Sequence, residues 1–164
     1  MIKIEKDGKK FQLDVLDYEF PNREDTGGIP TEQQLEEMGG RDYDANWLNI
    51  GFECYDEKYE WKTVDPCLLS WELEDLMDWL VTLAEDRDAD NAAPQLVFTE
   101  PCVGILQKRI DENNYKLRFV LAYETAPPEE YRNGEYFMDF VVSREELAEI
   151  ANQVAMAAAA YPER

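Results

Sequence analysis

Apolar and polar residues alternate at the start of the chain. Ile2 and Ile4 stand against Lys3 and Glu5, and Phe11, Leu13 and Val15 resume the pattern after Asp7-Gly8. A two-residue Asp-Gly turn between alternating runs predicts a β-hairpin over about 2–18, ended by Pro21. A second alternation runs through Leu48, Ile50, Phe52 and Cys54. It turns at Asp56-Glu57 and returns through Tyr59, Trp61 and Thr63. Pro66 is expected to end this ladder, because proline has no N–H to donate.

The period then changes to that of a helix. Leu73, Leu76, Met77, Leu80, Leu83 and Ala84 fall on one face at 100° per residue. Ser70 is the expected N-cap of a helix over about 70–86. Beyond an acidic loop at 85–94, Leu96 and Phe98 begin a strand that Pro101 should kink and Val103–Ile110 should continue. Tyr115, Leu117, Phe119, Leu121 and Tyr123 give the clearest strand, and Tyr136–Val142 the last one. Ser143-Arg144-Glu145-Glu146 is a capping box opening a helix over about 143–161, with Leu147, Ile150, Ala151, Val154 and Ala158 as its stripe.

Short turns and the lack of repeated βαβ units predict an α+β fold. Its main part is an antiparallel sheet of about 7–8 strands carrying two principal helices. The 164 residues are expected to form a single domain. Segment 22–43, polar and marked by Gly27-Gly28 and Gly39-Gly40, is the expected mobile connection or insertion. Within it, Thr31-Glu32-Gln33-Gln34 has the capping-box pattern of a short helix at 31–38.

Charge changes the picture more than composition does. Thirty-seven acids face sixteen bases, a formal net charge of −21. Such a surface repels nucleic acid and anionic membranes, attracts basic partners, and favours a monomer when unbound. The second helix places Glu74, Asp75, Asp78 and Glu85 opposite its apolar face, with no base among them. That face is either simply solvated or presents negative potential to a partner. Trp71 falls on the same side at the helix start, where an aromatic beside carboxylates can anchor an interface.

The chain has no histidine, which removes Ser-His-Asp and Cys-His catalysis and the commonest zinc ligand. Cys54, Cys67 and Cys102 are scattered without a Cys-x-x-Cys, and no signal peptide opens the chain, so a reduced cytoplasm is the expected compartment. Asp86, Asp88 and Asp90 imitate the start of an EF-hand loop. However, Asn91 replaces its glycine and Val97 its bidentate glutamate, which argues against calcium. Asp42-Tyr-Asp44 is too short a motif to define a metal site. No catalytic residue, metal site or cofactor is therefore assigned.

The stretch 44–80 resembles the WapI-type immunity proteins, bacterial partners of secreted wall-associated toxins. The likeness rests on Asp44-Ala45-Asn46-Trp47-Leu48, the strand pair to Trp61, Asp65-Pro66-Cys67-Leu68-Leu69-Ser70-Trp71-Glu72, and Asp78-Trp79-Leu80. Phe98-Thr99-Glu100-Pro101 and Tyr161-Pro162 fit more loosely, and 22–43 stands outside the pattern. The resemblance implies a small cytoplasmic protein that binds and blocks a cognate toxin domain; the charge of −21 suits a basic one. It supplies no catalytic residues. The expected contact surface is Trp71 with Glu74, Asp75 and Asp78, together with the loop acids Asp86, Asp88 and Asp90. Asp42 and Asp44 form a second patch. Two alternatives stay open: an intracellular enzyme using carboxylates and a divalent metal, and an acidic regulatory module for another basic protein.

Overall fold

The computed structural model describes residues 1–85 and 93–164. Strands β1 (Ile2–Lys6) and β2 (Lys9–Tyr18) form the expected hairpin. Asp7 and Gly8 take φ of 52° and 73°, the left-handed pair that a two-residue turn between right-twisted strands requires. A short 3-10 turn at Arg23–Thr26 and helix α1 (Glu32–Glu37) follow. The Thr31 side chain and Gln34 form the predicted capping box.

Strands β3 (Trp47–Tyr55) and β4 (Glu60–Leu69) complete a four-stranded antiparallel sheet, β1-β2-β3-β4. Here the expected stop at Pro66 is corrected, because β4 runs on to Leu69. Leu48 faces Leu68 while Asn49 faces Pro66, so Cys67 is an extra, bulged residue. A bulge in an edge strand is a place where a missing N–H is tolerated.

Helix α2 (Ser70–Glu85) follows directly. Strands β5 (Gln95–Val97), β6 (Val103–Arg109), β7 (Asn114–Leu121) and β8 (Tyr136–Ser143) make a second antiparallel sheet in that order. The kinked strand expected around Pro101 is instead a reversal, with Gln95 opposite Leu106 and Val97 opposite Gly104. Tyr123 lies beyond β7, in a 3-10 turn over Tyr123–Thr125. Helix α3 (Arg144–Ala160) closes the fold, and Ser143 and Glu146 form its capping box.

The α+β class and the strand number are as expected, and the strands divide into two sheets of four. Each sheet is a sequential meander followed by a long helix. The sheets share one hydrophobic cluster, within which Phe11 of β2 stacks on Phe119 of β7 with ring centroids 3.8 Å apart. Helices α2 and α3 pack on each other, and α3 reaches β1 and β8. Polar links fasten α3, among them Lys6 donating to Glu146 at 2.7 Å and Arg144 donating to the Ala84 carbonyl at 2.8 Å. Among the described residues, no helix is long and apolar enough to cross a membrane.

Candidate functional site

The 44–80 stretch is held together by buried polar residues. Asn46 is fully buried. Its Nδ2 donates to the carbonyls of Asp42 (2.7 Å) and Arg164 (3.1 Å), and its Oδ1 accepts from Ser70 Oγ (2.8 Å) and the Arg164 N–H (2.9 Å). Ser70 is therefore not the expected cap, because its hydroxyl is turned to Asn46. Glu72, the third residue of the helix, reaches back to close its start, accepting from the Leu69 N–H at 2.8 Å. Its other oxygen accepts from the Thr99 N–H at 2.6 Å, which fixes the turn between β5 and β6 to the start of α2.

These anchors orient the outer stripe of α2. Trp71, Glu74, Asp75 and Asp78 follow one another at helical spacing along one side. The three carboxylates are exposed, and none forms an ion pair among the described residues. Trp71, at the head of the stripe, is buried, being 8% exposed. Tyr43 meets it edge-on at 5.1 Å, and the Arg41 guanidinium lies 4.7 Å from its ring centroid. The surface at this end of the helix thus belongs to Arg41 and Tyr43, both exposed.

Asp42 and Asp44 separate sharply. Asp42 is buried, pairs with Arg23 at 3.3 Å and accepts from the Ala45 N–H at 3.3 Å, so it braces the loop. Asp44 is exposed and belongs to a set of carboxylates whose charges act on one another. Burial, then the charges of Asp44 and Asp65, holds the Glu19 carboxyl above its usual range. Burial, then Glu124 and, more weakly, Glu100, does the same to Asp65. Glu19, Asp44, Asp65, Glu100 and Glu124 come from five separate places in the chain. Pairwise spacing could reveal none of them except Asp44, which stood in a recognisable motif. Asp86, Asp88 and Asp90 lie outside the described residues.

Other carboxylates are consumed internally. Asp139 takes Arg118 through two hydrogen bonds of 2.7 and 2.8 Å and Lys116 at 2.6 Å; Arg118 first, then Lys116, pulls its pKa down to about 2. Glu130 is held at about 2 by Lys58, then Tyr59 and Asn133. The three cysteines are free and buried. Burial pushes the Cys54 thiol up to about 12, far from a reactive thiolate.

A carboxylate enzyme calls for three or more converging acids. Among the described residues, one set of potential metal ligands converges: Asp65, Cys67 and Cys102, whose ligand atoms lie within 4.8 Å of one another. Sequence reading missed it because Cys102 arrives from the other sheet.

No curated protein and no solved structure matches the chain. A protein-family model does, over residues 1–162, and this match includes segment 22–43. With nearly its whole length covered, and with the anchors of the 44–80 stretch placed as described, the chain belongs to the immunity protein WapI-like family.

Proposed function

We propose that this protein binds the toxic domain of a secreted or wall-associated bacterial toxin in the cytoplasm and blocks it through its carboxylate surfaces. Membership of an immunity family supports a toxin-immunity role in general. The acidic mode of binding is our own reading, and one observation carries it: Glu74, Asp75 and Asp78 stand exposed in a row on α2, with no ion pair among the described residues. Like charges at this spacing cost a helix a few tenths of a kcal/mol per pair. A basic partner turns that cost into attraction and speeds encounter.

The set of Glu19, Asp44, Asp65, Glu100 and Glu124 is the second element of the reading. Removing like-charged carboxylates from water is unfavourable until a cation arrives, so cationic side chains of a partner fit there. A nucleic-acid-cleaving toxin would present such groups where phosphates sit. At a net charge of −21, copies of the protein repel each other, in keeping with a monomer when unbound.

The test is rapid-mixing association with the purified toxic domain encoded at the same locus. Changing Glu74, Asp75 and Asp78 together to lysine should slow association by at least about tenfold at low salt. The difference should shrink toward about 1 M salt, where the Debye length falls to roughly 3 Å. A wild-type chain with no affinity for that domain overturns the reading. An unchanged rate in the triple variant takes the contact off α2 and leaves that set, tested in turn by Asp44→Lys combined with Glu124→Lys.

A further inference from the structure

Two buried thiols and one carboxylate meet at the seam between the two sheets. Asp65 and Cys67 are two residues apart on the inward-facing side of β4, and Cys67 is the bulged residue of that strand. Bulges commonly re-aim a side chain. Cys102 comes from the turn before β6, where its carbonyl accepts from the Ala122 N–H at 2.9 Å and from Thr125 Oγ1 at 2.5 Å. The backbone on both sides of the cluster is therefore fixed. Cys67 is 0% exposed and Cys102 4%, while Asp65 is half-buried and opens toward solvent.

We infer that Asp65, Cys67 and Cys102 bind one thiophilic divalent cation of the zinc class. The ligand atoms all lie within 4.8 Å of one another. Ligands on a tetrahedral zinc-class ion, with bonds of about 2.0–2.3 Å, stand roughly 3.3–3.8 Å apart. Closing from 4.8 Å to that spacing takes at most about 1–1.5 Å of approach between ligand atoms. The donor set decides the class of ion. Thiolates select zinc-class metals, whereas magnesium and calcium take oxygen ligands. Entry is past Asp65, where Glu100 and Glu124 add negative potential. On binding, two S–H bonds break, two sulfur–metal bonds form, and both protons leave to solvent. The Asp65 carboxylate supplies the third bond, and a water entering past Asp65 would supply the fourth. Such an ion would tie β4 of the first sheet to the β5–β6 turn of the second. The competing explanation is that both cysteines are small apolar core residues.

The experiment uses the full chain, reduced and freed of metal, titrated with cadmium chloride as a spectroscopic stand-in for zinc. A thiolate-to-metal charge-transfer band should grow and saturate at one equivalent. Zinc should displace the cadmium and excess magnesium should not. Either thiophilic ion should raise the melting temperature by several degrees, because it binds only the folded chain tightly. C102S should abolish the band, D65N should weaken binding at least about tenfold, and C54S should change neither. C102S alters a turn residue, so it keeps the test informative even if C67S fails to fold. A wild-type chain with no saturable band, a band that survives in C102S, or D65N binding with wild-type affinity overturns the assignment. The titration needs no toxin domain, so its outcome is separate from that of the immunity reading.

Discussion

Asp139 shows how single residues in this protein carry opposite duties under one overall charge. It faces Arg118 and Lys116 across β7 and β8, and its pKa of about 2 lies below the usual 3.8. A depressed carboxylate stabilises the folded state above its unfolded pKa, and that contribution is lost as pH falls through the folded value. Wild-type melting temperature should therefore exceed that of D139N near neutrality, and the gap should close between about pH 4 and pH 2. Melting curves of both proteins across that range check it. Charge type was legible for every residue in the sequence, but pairing was not. Asp139 and Asp78 look alike in the one-dimensional chain, yet one is neutralised by two cations and the other has no ion pair among the described residues. The Asp42-Tyr-Asp44 triplet divides in the same way: Asp42 is turned inward to Arg23, and Asp44 is exposed.

Elements were legible where local chemistry decides them. Both capping boxes, at Thr31 and Ser143, form as their spacing predicts. Ser143 Oγ accepts from the Glu146 N–H at 3.2 Å, and the Glu146 carboxylate accepts from the Ser143 N–H at 2.8 Å. Ser143→Ala should cost about 1 kcal/mol, with Ser143→Asp retaining most of the stability. Urea unfolding at constant slope measures it. Elements were misread where a proline or a cap depends on a distant partner. Pro66 sits in a strand because that strand is an edge and bulges there. Pro101 sits in a reversal because β6 pairs back onto β5. Ser70 has the right position for a cap but meets Asn46, a residue 24 positions earlier, and Glu72 closes the helix end instead.

At the scale of the molecule, repulsion among 37 acids opposes folding. Added salt screens it, since the Debye length shortens from about 10 Å at 0.1 M to about 3 Å at 1 M. The melting temperature should accordingly rise by several degrees as sodium chloride is raised over that range, with choline chloride acting alike. A flat or falling curve would mean that internal pairs such as Asp139 with Arg118 outweigh the repulsion. Under the proposed function, the same excess would draw a basic toxin domain toward the α2 stripe and the Glu19–Glu124 carboxylates before any contact is made.

The order of strands and long helices, the inward positions along them and the acidic balance followed from the sequence alone. Periodicity, capping and net charge are set by neighbours a few residues apart, or by simple addition. The tertiary structure alone decided that the strands part into two sheets stacked through Phe11 and Phe119. It alone decided which carboxylates lack a cation among the described residues, that Trp71 lies under Tyr43, and that Cys102 meets Asp65 and Cys67. Each of these is a contact between elements far apart in the chain. Such contacts are fixed by how whole faces pack, and no local pattern encodes them.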